Sequence, residues 1–202
     1  MTDLISQIDF AKSGGLVPTI VQDADTLQVL MLGYMNAEAV EKTQSSGLVT
    51  FYSRSRQTLW TKGETSGNTL ALVSLDIDCD KDTLLVQARP AGPTCHEGTV
   101  SCFGDDGANG VGFLAYLENL IESRKDADAD SSYTASLLQG PLRRAAQKVG
   151  EEGVETALAA VAETDDKLTS EAADLVYHLL VLLAAKNVTF DSVINELKRR
   201  HK

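Results

Sequence analysis

Four aspartates alternate with other residues from Asp76 to Asp82, and Cys79 stands among them. In extended backbone, side chains alternate between two faces, so we expect the aspartates on one face and Cys79 on the other. Because like charges repel and strands are depleted in aspartate, a hard cation that prefers oxygen ligands would stabilise this run. We predict a magnesium ion held by two or three of the carboxylates and by waters; a solvated acidic turn is the alternative. A calcium EF-hand is excluded, because Thr83 and Arg89 stand where it needs glycine and glutamate.

The three cysteines of the chain are Cys79, Cys95 and Cys102, and an odd number argues against a disulfide framework. No secretory leader opens the sequence, which together with the cysteines indicates a reducing, cytoplasmic compartment. Without a CxxC pair, three thiolates describe a zinc site that keeps one position open for water rather than a zinc finger. Zinc lowers the pKa of its water towards ~7, which makes hydroxide available for attack. His96 is the general base, a fourth ligand or a surface histidine, and three unrelated thiols are the alternative to a shared metal.

Two segments with cations, hydroxyls and glycines are candidates for phosphate binding. They are Ser53–Arg56 and Trp60–Asn68, and in the second segment glycines let backbone amides approach an anion. The net charge of −11 repels nucleic acid and anionic membrane surfaces, so we expect neither as a partner. An anionic substrate must therefore be met by local cations. The predicted phosphate contacts are Arg54, Arg56, Lys62, Thr65 and Ser66.

Five carboxylates in the second half are spaced to converge on two consecutive helices: Glu151, Glu152, Glu155, Glu171 and Asp174. Solvated helix faces are the alternative, but Asp174 leads directly into the apolar run Leu175–Ala185, which is itself too short to span a bilayer. Carboxylates that point into a helical bundle need cations. We therefore predict a magnesium site that binds a polyphosphate. Further candidates are phosphate contacts at Lys148, Arg143 and Arg144, and a buried hydrogen bond at His178.

The elements that must position these residues differ between the two halves, which a glycine-rich linker at about residues 104–112 separates. Short apolar runs predict strands at 16–22, 27–34, 48–53, 58–61, 70–77 and 83–88, with one helix between Asn36 and Gly47. Helical spacing predicts helices at 111–124, 141–163, 170–185 and 191–201. We expect two domains: residues 1–112, a small antiparallel sheet or open barrel with one helix, and residues 113–202, an all-α bundle. The helix at 170–185 is apolar nearly all round, which predicts burial in a dimer.

Three motifs of the first half resemble phosphoribosyl-AMP cyclohydrolase: Trp60–Asn68, Asp76–Asp82, and Cys95-His96-Glu97-Gly98 with Ser101-Cys102-Phe103. The resemblance implies hydrolytic opening of the purine ring of phosphoribosyl-AMP between N1 and C6, in histidine biosynthesis. It implies that Cys79, Cys95 and Cys102 bind zinc, with Cys79 supplied by the partner subunit of a homodimer. It also implies Asp78, Asp80 and Asp82 as magnesium ligands. The predicted catalytic residues are His96 and Glu64.

In the second half, EExxE followed after fifteen residues by ExxD is typical of all-α nucleotide pyrophosphohydrolases. With Leu137–Gly140 before the motif and Tyr177-His178-Leu179 after it, the segment most resembles phosphoribosyl-ATP pyrophosphohydrolase. That resemblance implies cleavage of phosphoribosyl-ATP to phosphoribosyl-AMP and pyrophosphate with Mg²⁺. The two halves then catalyse consecutive steps. Two alternatives remain: a general NTP pyrophosphohydrolase fused to an unrelated zinc protein, and a non-catalytic, metal-dependent oligomerisation module.

Overall fold

The computed structural model describes residues 4–104, 108 and 110–201. The chain divides into two compact units, Met1–Phe113 and Leu114–Lys202. The linker predicted at about residues 104–112 includes residues 105–107 and 109, which lie outside the described residues.

Strands dominate the described part of the first unit. Its elements are β1 (Val17–Asp23), β2 (Val29–Met35), α1 (Ala37–Ser46), β3 (Thr50–Ser53), β4 (Thr58–Thr61), β5 (Leu70–Ile77) and β6 (Leu84–Pro90), after two 3₁₀ helices at Leu4–Gln7 and Phe10–Ser13. Four strands form a sheet in the order β2-β1-β6-β5, and β3 pairs with β4. The predicted mostly-β fold with one helix is confirmed. The sheet is mixed rather than antiparallel, because β6 returns from the β5 hairpin parallel to β1.

Local signals account for the position of α1. The Asn36 side chain accepts a hydrogen bond from the Ala39 N–H at 2.8 Å, which caps the first turn. The helix ends at Gly47, whose φ of 70° lies in the left-handed region that glycine adopts without strain. Val40 of α1 belongs to one hydrophobic core with Val21 of β1 and Phe51 of β3.

The second unit is helical, as predicted. Its helices are α2 (Gly112–Glu122), whose first two residues belong to the first unit, α3 (Tyr133–Gln139), α4 (Leu142–Ala162), α5 (Asp165–Ala185) and α6 (Phe190–Arg200). The two long helices, α4 and α5, pack against each other. A small core contains Ile121, Leu137 and Leu180.

Three details of the helical prediction were wrong. Helix α5 begins five residues before Ser170, because the Thr164 side chain accepts from the Lys167 N–H at 3.3 Å and caps an earlier turn. Pro141 stands at the N-cap of α4 rather than at its first helical position. Helix α3 was not predicted, because its seven residues are too few to establish a hydrophobic period.

Helix α5 extends beyond the apolar run that the sequence suggested. It is 21 residues long, and by length and composition alone it is apolar enough to cross a membrane, with a mean hydropathy of 1.4. A single helix of this kind is weak evidence, since the core helix of a soluble protein satisfies the same criteria. In this unit α5 carries the buried polar residues Glu171 and His178.

Candidate active sites

The three aspartates proposed as magnesium ligands lie in the turn that joins β5 to β6. One carboxylate oxygen each from Asp78, Asp80 and Asp82 lies within 4.8 Å of the others. The predicted strands 70–77 and 83–88 do pair as a hairpin with the aspartates at its turn, but β5 ends at Ile77, so strand alternation does not extend to Asp78, Asp80 and Asp82. The turn is closed by Asp78 Oδ1, which accepts from the Asp82 N–H at 3.0 Å and the Thr83 N–H at 3.1 Å. The carboxylates therefore converge through a side-chain-capped turn rather than through strand alternation.

Lys12, in the 3₁₀ helix Phe10–Ser13, contacts this acidic turn. Its Nζ lies 2.5 Å from Asp80 Oδ2 and 2.8 Å from Asp82 Oδ2. The two carboxylates raise the pKa of Lys12, and Lys12 lowers the pKa of Asp80. Three negative charges in one turn thus attract a cation, which is the property that a magnesium site requires.

Cys95 and Cys102 lie together on a loop that is fixed to β2. The Cys102 N–H donates to Leu30 O at 2.8 Å, and the Ser101 hydroxyl donates to Val29 O at 2.8 Å. The same hydroxyl accepts from the Phe103 N–H at 3.0 Å. These bonds to β2 and to the next residue fix the backbone on both sides of the Cys102 thiol.

The two thiols differ in acidity. A hydrogen bond from the Glu97 N–H lowers the pKa of Cys95, and the Thr99 and Cys102 side chains add to that effect. Although Cys102 is exposed at the surface, the partial burial of its thiol raises its pKa, as does the neighbouring charge of Cys95. Zinc binds the thiolate, and the lowered pKa of Cys95 favours that form. Cys79 is exposed, and the described residues hold no group of three possible ligands that unites it with Cys95 and Cys102.

A cavity of about 400 Å³ lies between the two segments predicted to bind phosphate. Among the predicted site residues, Arg56, Glu64, Thr65 and Ser66 line it, together with Trp60. A cation and two hydroxyls beside an acidic group can bind a phosphate and accept a proton in one place. Glu64 is oriented by the Thr61 N–H, which donates to its Oε2 at 3.1 Å.

Three other predicted residues of the first unit lie outside that cavity lining. The Arg54 guanidinium stacks on the Tyr34 ring, 3.8 Å from the ring centroid. The positive charge of Lys62 acts on Cys102 and opposes the rise in its pKa. His96 is exposed, and its Nδ1 lies 3.9 Å from the Cys95 Sγ. Lys62 and His96 therefore lie near the cysteines, whereas Arg54 stacks on the ring of Tyr34.

In the helical unit, α4 and α5 bring three of the five predicted carboxylates together. One oxygen each from Glu152, Glu171 and Asp174 lies within 4.8 Å of the others. Both glutamates are only 5% exposed, so their charges need compensation that water does not supply. Lys148 Nζ lies 2.7 Å from Glu152 Oε1, and Lys167 forms an ion pair with Glu171.

The remaining two carboxylates flank this group. The charge of Glu152 raises the pKa of Glu155, and burial and Glu171 raise it further. Glu151 instead accepts from Gln147 at 2.7 Å and from Lys148 at 3.1 Å, which lowers its pKa. Repulsion that extends to Glu155 shows an excess of negative charge. A divalent cation fits this donor set of carboxylate oxygens.

A second cavity, of about 470 Å³, adjoins the start of α4. Arg143, Arg144 and Lys148 line it with Glu151. The candidate phosphate contacts of the second half therefore face one space. Since Lys148 also pairs with Glu152, this cationic space and the carboxylate group are neighbours.

His178 is 5% exposed and lies beside the carboxylates. Its Nε2 is 3.8 Å from Glu152 Oε1, and its ring packs edge-on against Tyr177, with the ring centroids 5.0 Å apart. Burial lowers the pKa of His178, and the charge of Lys148 lowers it further. The buried hydrogen bond predicted for this residue is not formed at Nδ1, which has no partner among the described residues.

The sequence analysis missed three residues that the structure places at the sites. Lys12 carried no signal, because it contacts Asp80, which is 68 residues away in the sequence. Lys167 did carry one, since it precedes Glu171 by four residues. Ser101 was visible only as a neighbour of Cys102.

Comparison with known proteins identifies the class of both units. The profile of phosphoribosyl-AMP cyclohydrolase matches residues 31–104, and that of phosphoribosyl-ATP pyrophosphohydrolase matches residues 114–201. Both resemblances noted in the motifs are confirmed. The chain belongs to the family of bifunctional hydrolases that combine these two domains.

Relatives match the chain over nearly its full length. The histidine biosynthesis bifunctional protein HisIE of Xylella fastidiosa (strain Temecula1 / ATCC 700964) is 58% identical over 198 residues, which cover 98% of this chain and 95% of that protein. The protein of the same name from Escherichia coli (strain K12) is 57% identical over 195 residues, 96% of each chain. That of Campylobacter jejuni is 55% identical over 201 residues, 99% of this chain and 97% of the relative.

Proposed function

We propose that the chain catalyses two consecutive hydrolyses of histidine biosynthesis, one in each unit. The helical unit cleaves phosphoribosyl-ATP to phosphoribosyl-AMP and pyrophosphate. The strand-rich unit then opens the purine ring of phosphoribosyl-AMP, so that the oxygen of water ends on C6 and the N1–C6 bond breaks. The observation that carries the proposal is the presence, in one family-matched chain, of two separate acidic groups, each in a unit that also has a cation-lined cavity.

The metals are assigned by the chemistry of the donor atoms. Carboxylate oxygens of Asp78, Asp80 and Asp82 and of Glu152, Glu171 and Asp174 suit Mg²⁺, whereas the thiolates suit Zn²⁺. When bound, Mg²⁺ neutralises phosphate charge and Zn²⁺ acts as a Lewis acid towards water. Glu151 and Glu155, at the edge of the helical group, complete its proposed ligand set.

The chain's own side chains bind and orient the substrates. In the helical unit, Lys148 faces both the carboxylate group and the cationic cavity, so it holds a phosphate against the metal-binding residues. In the strand-rich unit, Arg56, Thr65 and Ser66 bind the phosphate, with Arg54 and Lys62 as the further predicted contacts. His96 and Glu64 accept and return protons during ring opening.

The zinc ligands are shared between subunits of a homodimer in this proposal. Cys95 and Cys102 supply one part of the site and Cys79 of the partner subunit the other, which agrees with the separation of Cys79 within one chain. The exposed apolar residues Val154, Leu158 and Val161 of α4 are available for a subunit contact. The proposed domains are residues 1–112 and 113–202. We propose that the assembled protein is a soluble enzyme of the cytoplasm.

Substituting Cys102 by alanine tests whether the two sites are separate. We expect Cys102→Ala to lose ring opening and one zinc ligand, and to release pyrophosphate at the wild-type rate. Glu152→Gln is the matched reciprocal variant, with pyrophosphate release lost and ring opening kept. Loss of both activities in either folded variant would contradict the assignment.

Mixed dimers test the sharing of zinc ligands. Cys79→Ala and Cys102→Ala chains are each inactive in ring opening, but a mixed dimer combines an intact Cys79 with an intact Cys95–Cys102 pair at one of its two sites. Random co-assembly of equal amounts should therefore restore about a quarter of wild-type ring opening. Complementation would be missing if all three ligands came from one chain.

A further inference from the structure

Lys12 makes three contacts with the acidic turn. Its ammonium donates to Asp80 Oδ2 at 2.5 Å, lies 2.8 Å from Asp82 Oδ2, and donates to the Asp80 carbonyl oxygen at 3.3 Å. An ammonium group has three donors, so these contacts engage all of them. A single positive charge of the same chain thus contacts two of the three carboxylates that converge in the turn and offsets one of their negative charges.

The backbone holds Lys12 in this position independently of its side chain. The Asp9 N–H donates to Lys81 O at 2.8 Å, which ties the segment before Lys12 to the turn itself. The Asp9 side chain accepts from the Lys12 N–H at 3.1 Å and caps the 3₁₀ helix. These two hydrogen bonds hold the backbone of Lys12 close to the turn, so the effective concentration of its ammonium at the aspartates is high.

We propose that Lys12 competes with the divalent cation for Asp80 and Asp82 and so sets the metal affinity of the strand-rich unit. This inference rests on the proposed magnesium site at Asp78, Asp80 and Asp82. Without the ion, the ammonium compensates the charges that would otherwise repel each other and open the turn. When the ion binds, its charge replaces that of Lys12 at both carboxylates, because a divalent cation and an ammonium repel each other at this distance. Lys12 thereby lowers the affinity for the metal and stabilises the metal-free turn.

The expected size of the effect follows from the exposure of the pairs. Lys12 and Asp80 are largely solvated, with side chains 41% and 59% exposed, so each ion pair is screened. Two such pairs should weaken metal binding about three- to tenfold. A lysine elsewhere on the surface should change the affinity far less, through the net charge alone.

A magnesium titration followed by NMR measures this site separately from the helical one. The reporters are the amide signals of Asp82 and Thr83, whose N–H groups donate to Asp78 Oδ1. Three zinc-loaded, full-length proteins are titrated with MgCl₂: the wild type, Lys12→Met and Lys42→Met. Lys42 is an exposed lysine of α1 and carries the same charge change. We expect the dissociation constant for Mg²⁺ to fall about three- to tenfold in Lys12→Met, and to stay within about twofold of wild type in Lys42→Met.

Thermal unfolding supplies the second readout. Without Mg²⁺, Lys12→Met should melt below wild type, and saturating Mg²⁺ should close the gap. If Lys12→Met does not fold, Lys12→Gln tests the same loss of charge, and Lys12→Arg, which keeps the charge, should retain the wild-type affinity. An unchanged or weaker affinity in Lys12→Met overturns the role of Lys12. Amide signals of Asp82 and Thr83 that ignore Mg²⁺ in every protein overturn the magnesium site as well.

Discussion

Lys148 Nζ lies 2.7 Å from Glu152 Oε1, one helical turn further along α4. Glu152 is buried, whereas Lys148 lines a cavity with Arg143 and Arg144. The pKa of Lys148 is raised, first by Glu152 and then by Glu151, so the lysine stays charged. A single ammonium therefore connects the carboxylate group to the cationic space beside it.

The role of Lys148 as a phosphate contact can be tested by Lys148→Met. We expect kcat/KM for pyrophosphate release to fall about 10- to 100-fold, because a hydrogen bond to a charged group is worth about 1.5–3 kcal/mol. Ring opening of phosphoribosyl-AMP, assayed on the same sample, should not change. Lys198→Met, on the exposed side of α6, is the control and should release pyrophosphate normally. Equal rates in the two variants would contradict a substrate contact at Lys148.

The carboxylate group of the helical unit should depend on Glu171 for metal binding. In Glu171→Gln the side chain keeps its shape and loses its charge, so we expect the Mg²⁺ concentration for half-maximal pyrophosphate release to rise about 10- to 100-fold. Glu163→Gln, just beyond the end of α4, removes the same charge outside the group. A Mg²⁺ requirement in Glu171→Gln that equals the one in Glu163→Gln would mean that Glu171 is not a ligand.

Gly63 and Gly67 offer a matched pair in the loop that lines the first cavity. Both have left-handed backbone, with φ of 80° and 81°, so alanine adds about 1–2 kcal/mol of strain at either position. At Gly63 the new Cβ would also lie 2.3 Å from the backbone carbonyl of Asn68, whereas at Gly67 nothing lies within 4 Å. We expect Gly63→Ala to lower kcat/KM for phosphoribosyl-AMP at least about tenfold more than Gly67→Ala, since displaced binding groups cost catalysis. Similar kinetics in both variants would exclude this loop from the site.

Ser101 should determine how firmly the loop of Cys95 and Cys102 is held. The residue is 1% exposed, and its hydroxyl bonds both Val29 O and the Phe103 N–H. Ser101→Ala removes the partner of these part-buried backbone groups, so we expect a loss of about 0.5–1.5 kcal/mol in the free energy of unfolding. Zinc transfer to a chromogenic chelator should also accelerate. Ser45→Ala, which removes an exposed hydroxyl of α1, should change neither quantity, and unaltered zinc release in Ser101→Ala would count against a positioning role.

The elements that were predicted correctly are those whose signals are local. Asn36 and Gly47 mark the two ends of α1, and the aspartates after Ile77 mark a strand end. The start of α5 was predicted too late, because Asp165 and Asp166 do not belong to an apolar period. Their negative charges nevertheless favour the first turn of a helix. Short helices such as α3 form through packing against α4 and α5, which a window of seven residues does not reveal.

The sequence predicted those parts of the candidate sites whose residues are close together in the chain. Residues three or four apart on one helix, such as Glu171 and Asp174, are neighbours wherever the helix forms. The packing of α4 against α5 decides that Glu152, and not Glu151, lies beside Glu171 and Asp174. This packing is a tertiary contact that residue spacing does not reveal. The same holds for Lys12, because no local pattern relates a 3₁₀ helix near the start of the chain to a turn 68 residues later.

Both lysines beside the carboxylate group precede their glutamates by four residues on the same helix, Lys148 on α4 and Lys167 on α5. Each helix can therefore neutralise its own glutamate before the two helices meet. During folding, α4 and α5 then dock as surfaces that already carry compensated charges, and the hydrophobic contacts between them need not overcome bare electrostatic repulsion. The group keeps an excess of negative charge with both lysines in place, and it becomes more strongly anionic when a lysine turns towards substrate.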